Sequence, residues 1–177
     1  MKAKYALRAL CVLADAGDEH LQARQVAVTA DVPVKFLEAI LVELRKAGIV
    51  ASKRGAQGGH TLAKPSSDIM VGDIIRALDG PLAPILCASV TAYQPCADCP
   101  DPDTCALRVL MGSVRDAMSY VVDRRSLEQL AFDTRSLQKK RPRGKPKESR
   151  KPKDSGKPRD GDKPKQGKTA TRLRIAS

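Results

Sequence analysis

The chain has 177 residues, with 32 Lys or Arg against 20 Asp or Glu and a formal net charge of +12. That length accommodates one ordinary domain with an appendage and excludes two full ones. No apolar run approaches the roughly 20 residues that cross a bilayer, and the first apolar stretch is broken by Arg8 and Asp15 and lacks a secretory cleavage pattern, so a cytoplasmic protein without membrane contact is expected.

Leu7, Leu10, Cys11 and Ala14 share one face of a first helix that ends at Gly17, and Cys11 reads as a small core residue. A short helix over 23–30, a tight turn at "ADVP" and a longer helix over 33–47 follow, with Pro33 suited to the first turn and Gly48 to the C-cap. In the longer helix Val34, Leu37, Ile40, Leu41 and Leu44 repeat at three and four and form the buried stripe, while Lys35, Phe36 and Glu38 face elsewhere. Two helices joined in this way fit the helix-turn-helix plan, whose second helix presents its N-terminal residues to base edges in the major groove. They also fit any small helical bundle.

The next segment favours DNA. "IVASKRGAQGGHTLAKP" predicts strands over 49–53 and 60–63 around a glycine-rich tip carrying Lys53 and Arg54, a basic hairpin suited to phosphate or a narrow minor groove. A short amphipathic helix follows at "VGDIIRALDG", with Ile74, Ile75 and Leu78 inward. From near Cys105 a long helix spaces Leu107, Met111, Val114, Met118 and Val121 by four and three, a heptad seam that predicts a two-fold dimer.

The charge is unevenly placed. From Lys139 onward lie 16 of the basic residues and only 4 of the acidic ones, so the whole net charge belongs to this Pro- and Gly-rich end. Its composition predicts disorder, serving either as a solvated tail or as a salt-sensitive, sequence-independent attraction to nucleic acid. The expected fold is mainly α with a small β-hairpin wing. Its layout is a winged helix-turn-helix domain over 1–80, a cysteine-rich loop over 81–104, a dimerisation helix and C-terminal segment over 105–132, and a disordered basic tail over 133–177.

Five cysteines in a reducing compartment argue against a disulfide framework. Cys87, Cys96, Cys99 and Cys105 fall within nineteen positions, and thiolates select iron–sulfur clusters or zinc; a thiol redox pair at Cys96 and Cys99 is the metal-free reading. Enzymatic readings find no support: no thioredoxin-like βαβ pattern precedes the CxxC pair, and His20 and His60 suggest no Cys–His nucleophile. No small-molecule substrate is expected.

"KYALRAL" at 4–10, "FLEAILVELRKAGIV" at 36–50, "KRGAQGGHTLAKP" at 53–65, "VGDIIRALDGPLAP" at 71–84 and "CPDPDTCALR" at 99–108 together resemble the IscR/NsrR/BadM winged-helix regulators of bacteria, from Lys2 to about Leu130. The resemblance implies a dimeric transcription factor, usually a repressor of a palindromic operator, that senses iron–sulfur, nitric oxide or redox status. It implies a cluster, [2Fe-2S] or [4Fe-4S], on Cys87, Cys99 and Cys105, with zinc as the alternative metal. It places base reading on Lys35, Phe36 and Glu38 and wing contact on Arg54; Arg24, Lys53, Gln57 and His60 complete the expected DNA-contacting set. The chain departs from that pattern in three places. The family's Gly-Pro-Gly-Gly-Gly-Tyr wing is Gly55-Ala56-Gln57-Gly58-Gly59-His60; Arg108 and Lys4 stand where relatives use a histidine or an aspartate ligand; and Cys96 is additional, either as a fourth ligand or as a redox partner of Cys99.

Overall fold

The computed structural model describes residues 2–55, 58–99 and 101–140, and within them the chain is built around its first helix. Helix α1 (Lys2–Ala16) buries Ala3, Ala6, Ala9, Leu10, Cys11 and Leu13, a broader surface than the single expected face. The reason is that α1 touches α2, α3, α4, α6 and the hairpin, and its alanines let those neighbours approach closely. Its start is fixed by Asp79, whose carboxylate accepts the backbone N–H groups of Lys2 (3.1 Å) and Ala3 (3.3 Å) at the positive end of the helix dipole.

Helices α2 (Ala23–Ala30) and α3 (Val34–Lys46) meet through Asp31, which takes the left-handed conformation at φ 54°. Its backbone N–H closes α2 on the carbonyl of Val28 at 3.2 Å, and its carboxylate receives Arg8 at 3.3 Å. Pro33 then caps α3. Leu37, Ile40, Leu41 and Leu44 are buried to 1% exposure or less, each worth about 2–5 kcal/mol against alanine. The wing is the antiparallel pair β1 (Val50–Lys53) and β2 (Gly59–Leu62), registered from Val50–Leu62 to Lys53–Gly59. Leu21 joins as a third short edge, exchanging backbone hydrogen bonds with His60 at 3.0 and 2.8 Å. Position 59 needs glycine for that approach, because a Cβ there would lie 2.6 Å from the Leu21 carbonyl oxygen.

Helix α4 (Val71–Asp79) buries Ile74 and Leu78 in the same core and leaves Ile75 half-buried. After the cysteine loop come α5 (Ala106–Val122) and α6 (Leu127–Lys140). Between these two helices the chain pairs with the entry to α4: Val71 donates to the Arg125 carbonyl at 2.9 Å and Leu127 to that of Ile69 at 2.8 Å. Arg76 of α4 adds a two-pronged ion pair to Asp123, at 2.7 and 2.6 Å.

Helix α6 corrects the expected tail boundary, since 133–140 are helical. A capping box starts it: the Ser126 hydroxyl accepts the Gln129 N–H at 3.2 Å and the Gln129 side chain accepts the Ser126 N–H at 3.2 Å. Leu127 and Ala131 then bury against the core, and ion pairs from Arg125 to Asp133 and from Arg135 to Asp15 of α1 extend the attachment. The remainder of the expected tail, 141–177, lies outside the described residues, as does Gln57. Among the described residues, no helix is long and apolar enough to cross a membrane.

Candidate nucleic-acid interface and cysteine site

The start of α3 presents Lys35, Glu38, Ala39 and Val42 to solvent, because the opposite stripe is committed to the core. Phe36 has a second role: its ring packs edge-on against Tyr5 of α1, centroids 5.3 Å apart at 83°, which ties α3 to α1 and leaves only part of the ring open. Arg24 on α2 and Lys53 and Arg54 at the wing tip are exposed. His60 is half-buried, with Nδ1 2.9 Å from the Ser52 hydroxyl across the hairpin. Burial, then the positive charge of Arg45, holds its pKa below the ordinary imidazole value, with Glu38 opposing. Glu38 and Arg45 of α3 thus lie within electrostatic reach of His60 on the hairpin. Arg45 was not among the expected residues. Its signal was position alone, seven after Glu38 and therefore on the same helix face.

The cysteines divide into two groups. Cys11 is a core residue, 6% exposed; burial pushes its thiol pKa up, and a hydrogen bond with Thr134 of α6 partly opposes this. Cys87 is buried in a single 3-10 turn, Leu86–Ala88; Cys96 is exposed; Cys99 and Cys105 are half-buried, and Cys105 caps α5. All five are free thiols. The loop thiols lie within electrostatic reach of one another: hydrogen bonding with Cys87, then desolvation, pushes Cys96 up to about 11, with Cys99 adding to the rise, while desolvation and then the charge of Cys105 raise Cys99, with Cys87 adding to it. Among the described residues, no three His, Cys, Asp or Glu side chains are gathered as a metal would require. The donor chemistry of the four loop cysteines suits a thiolate-held metal, and such a site needs their sulfurs to converge.

Arg108 is no ligand here. Its Nε donates to the Cys87 carbonyl at 3.1 Å, its Nη1 to the Pro102 carbonyl and the Asp103 carboxylate at 3.2 Å each, and its guanidinium stands 5.9 Å from the Tyr93 ring centre. Arg115, two turns along the same face of α5, donates to the Ala88 carbonyl. The two arginines therefore hold the cysteine loop onto α5. Their seven-residue spacing was the available signal; sequence reasoning treated Arg108 only as a missing histidine.

On α5 itself, no residue is buried. Leu107 (55% exposed), Val114 (37%), Met118 (41%) and Val121 (66%) of the expected seam are open, together with Val109 and Leu110 beside it.

Residues 1–133 match the family model Rrf2, described as an iron-dependent transcriptional regulator. An rrf2-like HTH-type transcriptional regulator of Rhodobacter capsulatus is 41% identical over 133 residues, spanning 73% of this chain and 89% of the relative. The structure of CymR, the global cysteine regulator of Bacillus subtilis, is similar at 34% identity and a TM-score of 0.61, covering 75% of this chain and 95% of that one. The structure of T. potens IscR is similar at 29% identity and a TM-score of 0.61, covering 78% of this chain and 88% of that one.

Proposed function

Because the chain belongs to the Rrf2 family of winged-helix transcriptional regulators, we propose that it is a cytoplasmic, homodimeric repressor whose cysteine loop holds an iron–sulfur cluster and couples the state of that loop to DNA affinity. The base-reading group is the open edge at the start of α3, with Lys35 suited to guanine or phosphate and Glu38 suited to accept from cytosine N4. Arg24 and the wing cations Lys53 and Arg54 supply phosphate or minor-groove contacts, joined by Gln57 and His60. Phe36 acts mainly as the anchor that sets the angle of α3 through Tyr5. The basic residues after Lys140 add sequence-independent attraction to the phosphate backbone. The open heptad stripe on α5 is the dimer seam, which sets the spacing of two recognition helices on a palindromic site.

The observation that carries the sensing half of the proposal is a continuous chain of polar contacts. Arg108 and Arg115 join the cysteine loop to α5, and Asp123 at the end of α5 is clamped by Arg76 of α4, the helix that follows the wing. Cys87, Cys99 and Cys105 are the proposed ligands, with Cys96 the fourth. A bound cluster would supply the sensitivity to iron, nitric oxide or oxidant. Closing the four-thiol loop changes the loop that Arg108 holds and the cap of α5. DNA affinity then depends on loop state to the extent that one state favours the spacing the operator requires. A structural zinc in the same loop is the second reading, favoured by four thiols that leave no open coordination position.

The test is anaerobic purification, refilling with iron and sulfide, and selection of bound sequences from a random DNA pool. A coloured protein that selects one palindrome is the expected result. A colourless protein that binds zinc stoichiometrically overturns the sensor reading, and a failure to enrich any sequence overturns the repressor reading.

A further inference from the structure

Helix α1, the end of α2 and α6 leave between them a cleft that neither the DNA-binding surface nor the cysteine loop uses. Its volume is about 510 Å³, within the ordinary range for small-ligand sites. Its apolar wall is aliphatic: Leu7, Val12, Ala30 and Leu130, with the Cys11 thiol beside them and no aromatic ring to favour a flat ligand by stacking. Burial raises the Cys11 pKa, so that thiol stays protonated and acts as apolar wall rather than nucleophile. The charged groups divide between the two ends of the cleft. Helix α6 runs back along α1: Glu128 shares a groove with Ala14 and Gly17, Thr134 hydrogen-bonds with Cys11, and Arg135 pairs with Asp15. Gln138, one turn beyond Thr134, therefore lies toward the start of α1, at the end lined by Lys4 and Arg8. Asp15 lines the opposite end and is neutralised by Arg135. Arg8 bonds Asp31 at 3.3 Å, a partner 68% exposed and so weakly held. Lys4 forms no ion pair among the described residues; its ammonium stands 5.9 Å from the Tyr5 ring centre. One end of an aliphatic cleft thus carries an unbalanced positive charge, a loosely engaged guanidinium and an amide donor.

We propose that this cleft binds a small aliphatic monocarboxylate, whose carboxylate is held by Lys4 and Arg8 with Gln138 as a further donor and whose chain lies along Leu7, Val12 and Leu130. The volume matches on the order of fifteen to twenty waters, room for a chain of medium length. Lys4 supplies the uncompensated charge, and Arg8 presents the planar fork that a carboxylate accepts at both oxygens. An aliphatic alcohol of the same length would fill the wall and leave both cations unanswered; an aliphatic ammonium would meet them with like charge. An anion at this end also draws on Arg8, which holds Asp31 in the left-handed turn between α2 and α3. The site therefore adjoins the entry to the recognition helix. It involves none of the loop thiols and is independent of what the cysteine loop holds.

Equilibrium dialysis of the full-length protein against radiolabelled octanoate, kept below its aggregation concentration, tests the assignment. The expected result is saturable binding of one octanoate per chain, displaced by unlabelled octanoate and not by equal concentrations of 1-octanol or octylammonium. Lys4 is exposed, so Lys4→Gln leaves the core intact; it should weaken binding at least about tenfold, the loss of one charge-assisted hydrogen bond, whereas Lys4→Arg should preserve it. Val12→Phe, checked for unchanged helicity and melting temperature, should fill the chain's path and abolish binding. The comparison of the three octyl compounds on the unaltered protein stands even if that variant fails to fold. Absence of saturable binding, equal displacement by the alcohol or the ammonium, or undiminished binding by Lys4→Gln or by a folded Val12→Phe protein would overturn the proposal.

Discussion

The contact between α4 and the end of α5 makes a quantitative prediction at Gly72. A Cβ at this position would overlap Oδ1 of Asp123 and lie 2.8 Å from Arg76 Nη1 and 3.0 Å from Asp123 Cγ. Gly72→Ala must therefore push the Asp123 carboxylate out of its two-pronged pair with Arg76. In a helix the exchange itself favours alanine by up to about 1 kcal/mol. Against this stand overpacking, about 1–3 kcal/mol, and loss of an ion pair whose side chains are 29% and 39% exposed, worth no more than about 1 kcal/mol at such exposure. The overpacking exceeds the gain, and the net expectation is a loss of about 1–2 kcal/mol, a fall in melting temperature of roughly 5 °C for a domain of this size. A second background isolates the cause. With Asp123→Ala already in place the obstruction is gone, and Gly72→Ala should become neutral or stabilising by up to about 1 kcal/mol. Calorimetry of the four proteins at one fixed concentration measures the cycle. Equal destabilisation in both backgrounds would refute the steric argument.

Acid should weaken the same contact. The hydrogen bond from Arg76 holds the Asp123 carboxyl below its ordinary value, so its contribution is fully present above about pH 4 and is lost as pH falls through the depressed value; an Arg76→Ala protein should show a shallower acid limb in a melting-temperature series. Val114→Asp with Met118→Asp places charge in the open stripe of α5 and should convert a dimer to a monomer by sedimentation velocity while the α1–α4 core stays folded by circular dichroism; a persistent dimer would place the seam elsewhere. Glu38→Ala should relax discrimination at individual operator base pairs by about 1–3 kcal/mol each without moving the melting temperature, and an unchanged preference in quantitative binding to single-base operator variants would remove Glu38 from the reading edge.

The winged core was legible because its signals are local and repeated. Leu37, Ile40, Leu41 and Leu44 follow helical periodicity, Pro33 starts α3, and glycines flank the hairpin tip. The alternation of helix, turn, helix and hairpin then left few other architectures. Helix α6 was missed because a strongly basic end dominated the reading of composition, although Ser126 and Gln129 carry the capping-box spacing and Leu127, Leu130, Ala131 and Thr134 recur at three and four. The double duty of Phe36 was invisible for a different reason: its partner Tyr5 lies 31 positions away in the chain, and no local pattern specifies that meeting. The cysteine loop was legible in kind and not in arrangement. Spacing identified the thiols, whereas the fold of their loop onto α5 depends on Arg108 reaching back 21 residues to the Cys87 carbonyl, a contact set by tertiary folding.

The most direct measurement of the central claim compares two loop states on one DNA. Full-length protein, refilled with iron and sulfide under anaerobic conditions, and the same protein stripped by chelation would be titrated against the selected palindrome by fluorescence anisotropy at a single salt concentration. The account predicts affinities at least tenfold apart, about 1.4 kcal/mol of coupling, with the difference abolished by Cys87→Ser. Equal affinities from a visibly loaded and a stripped protein would contradict it.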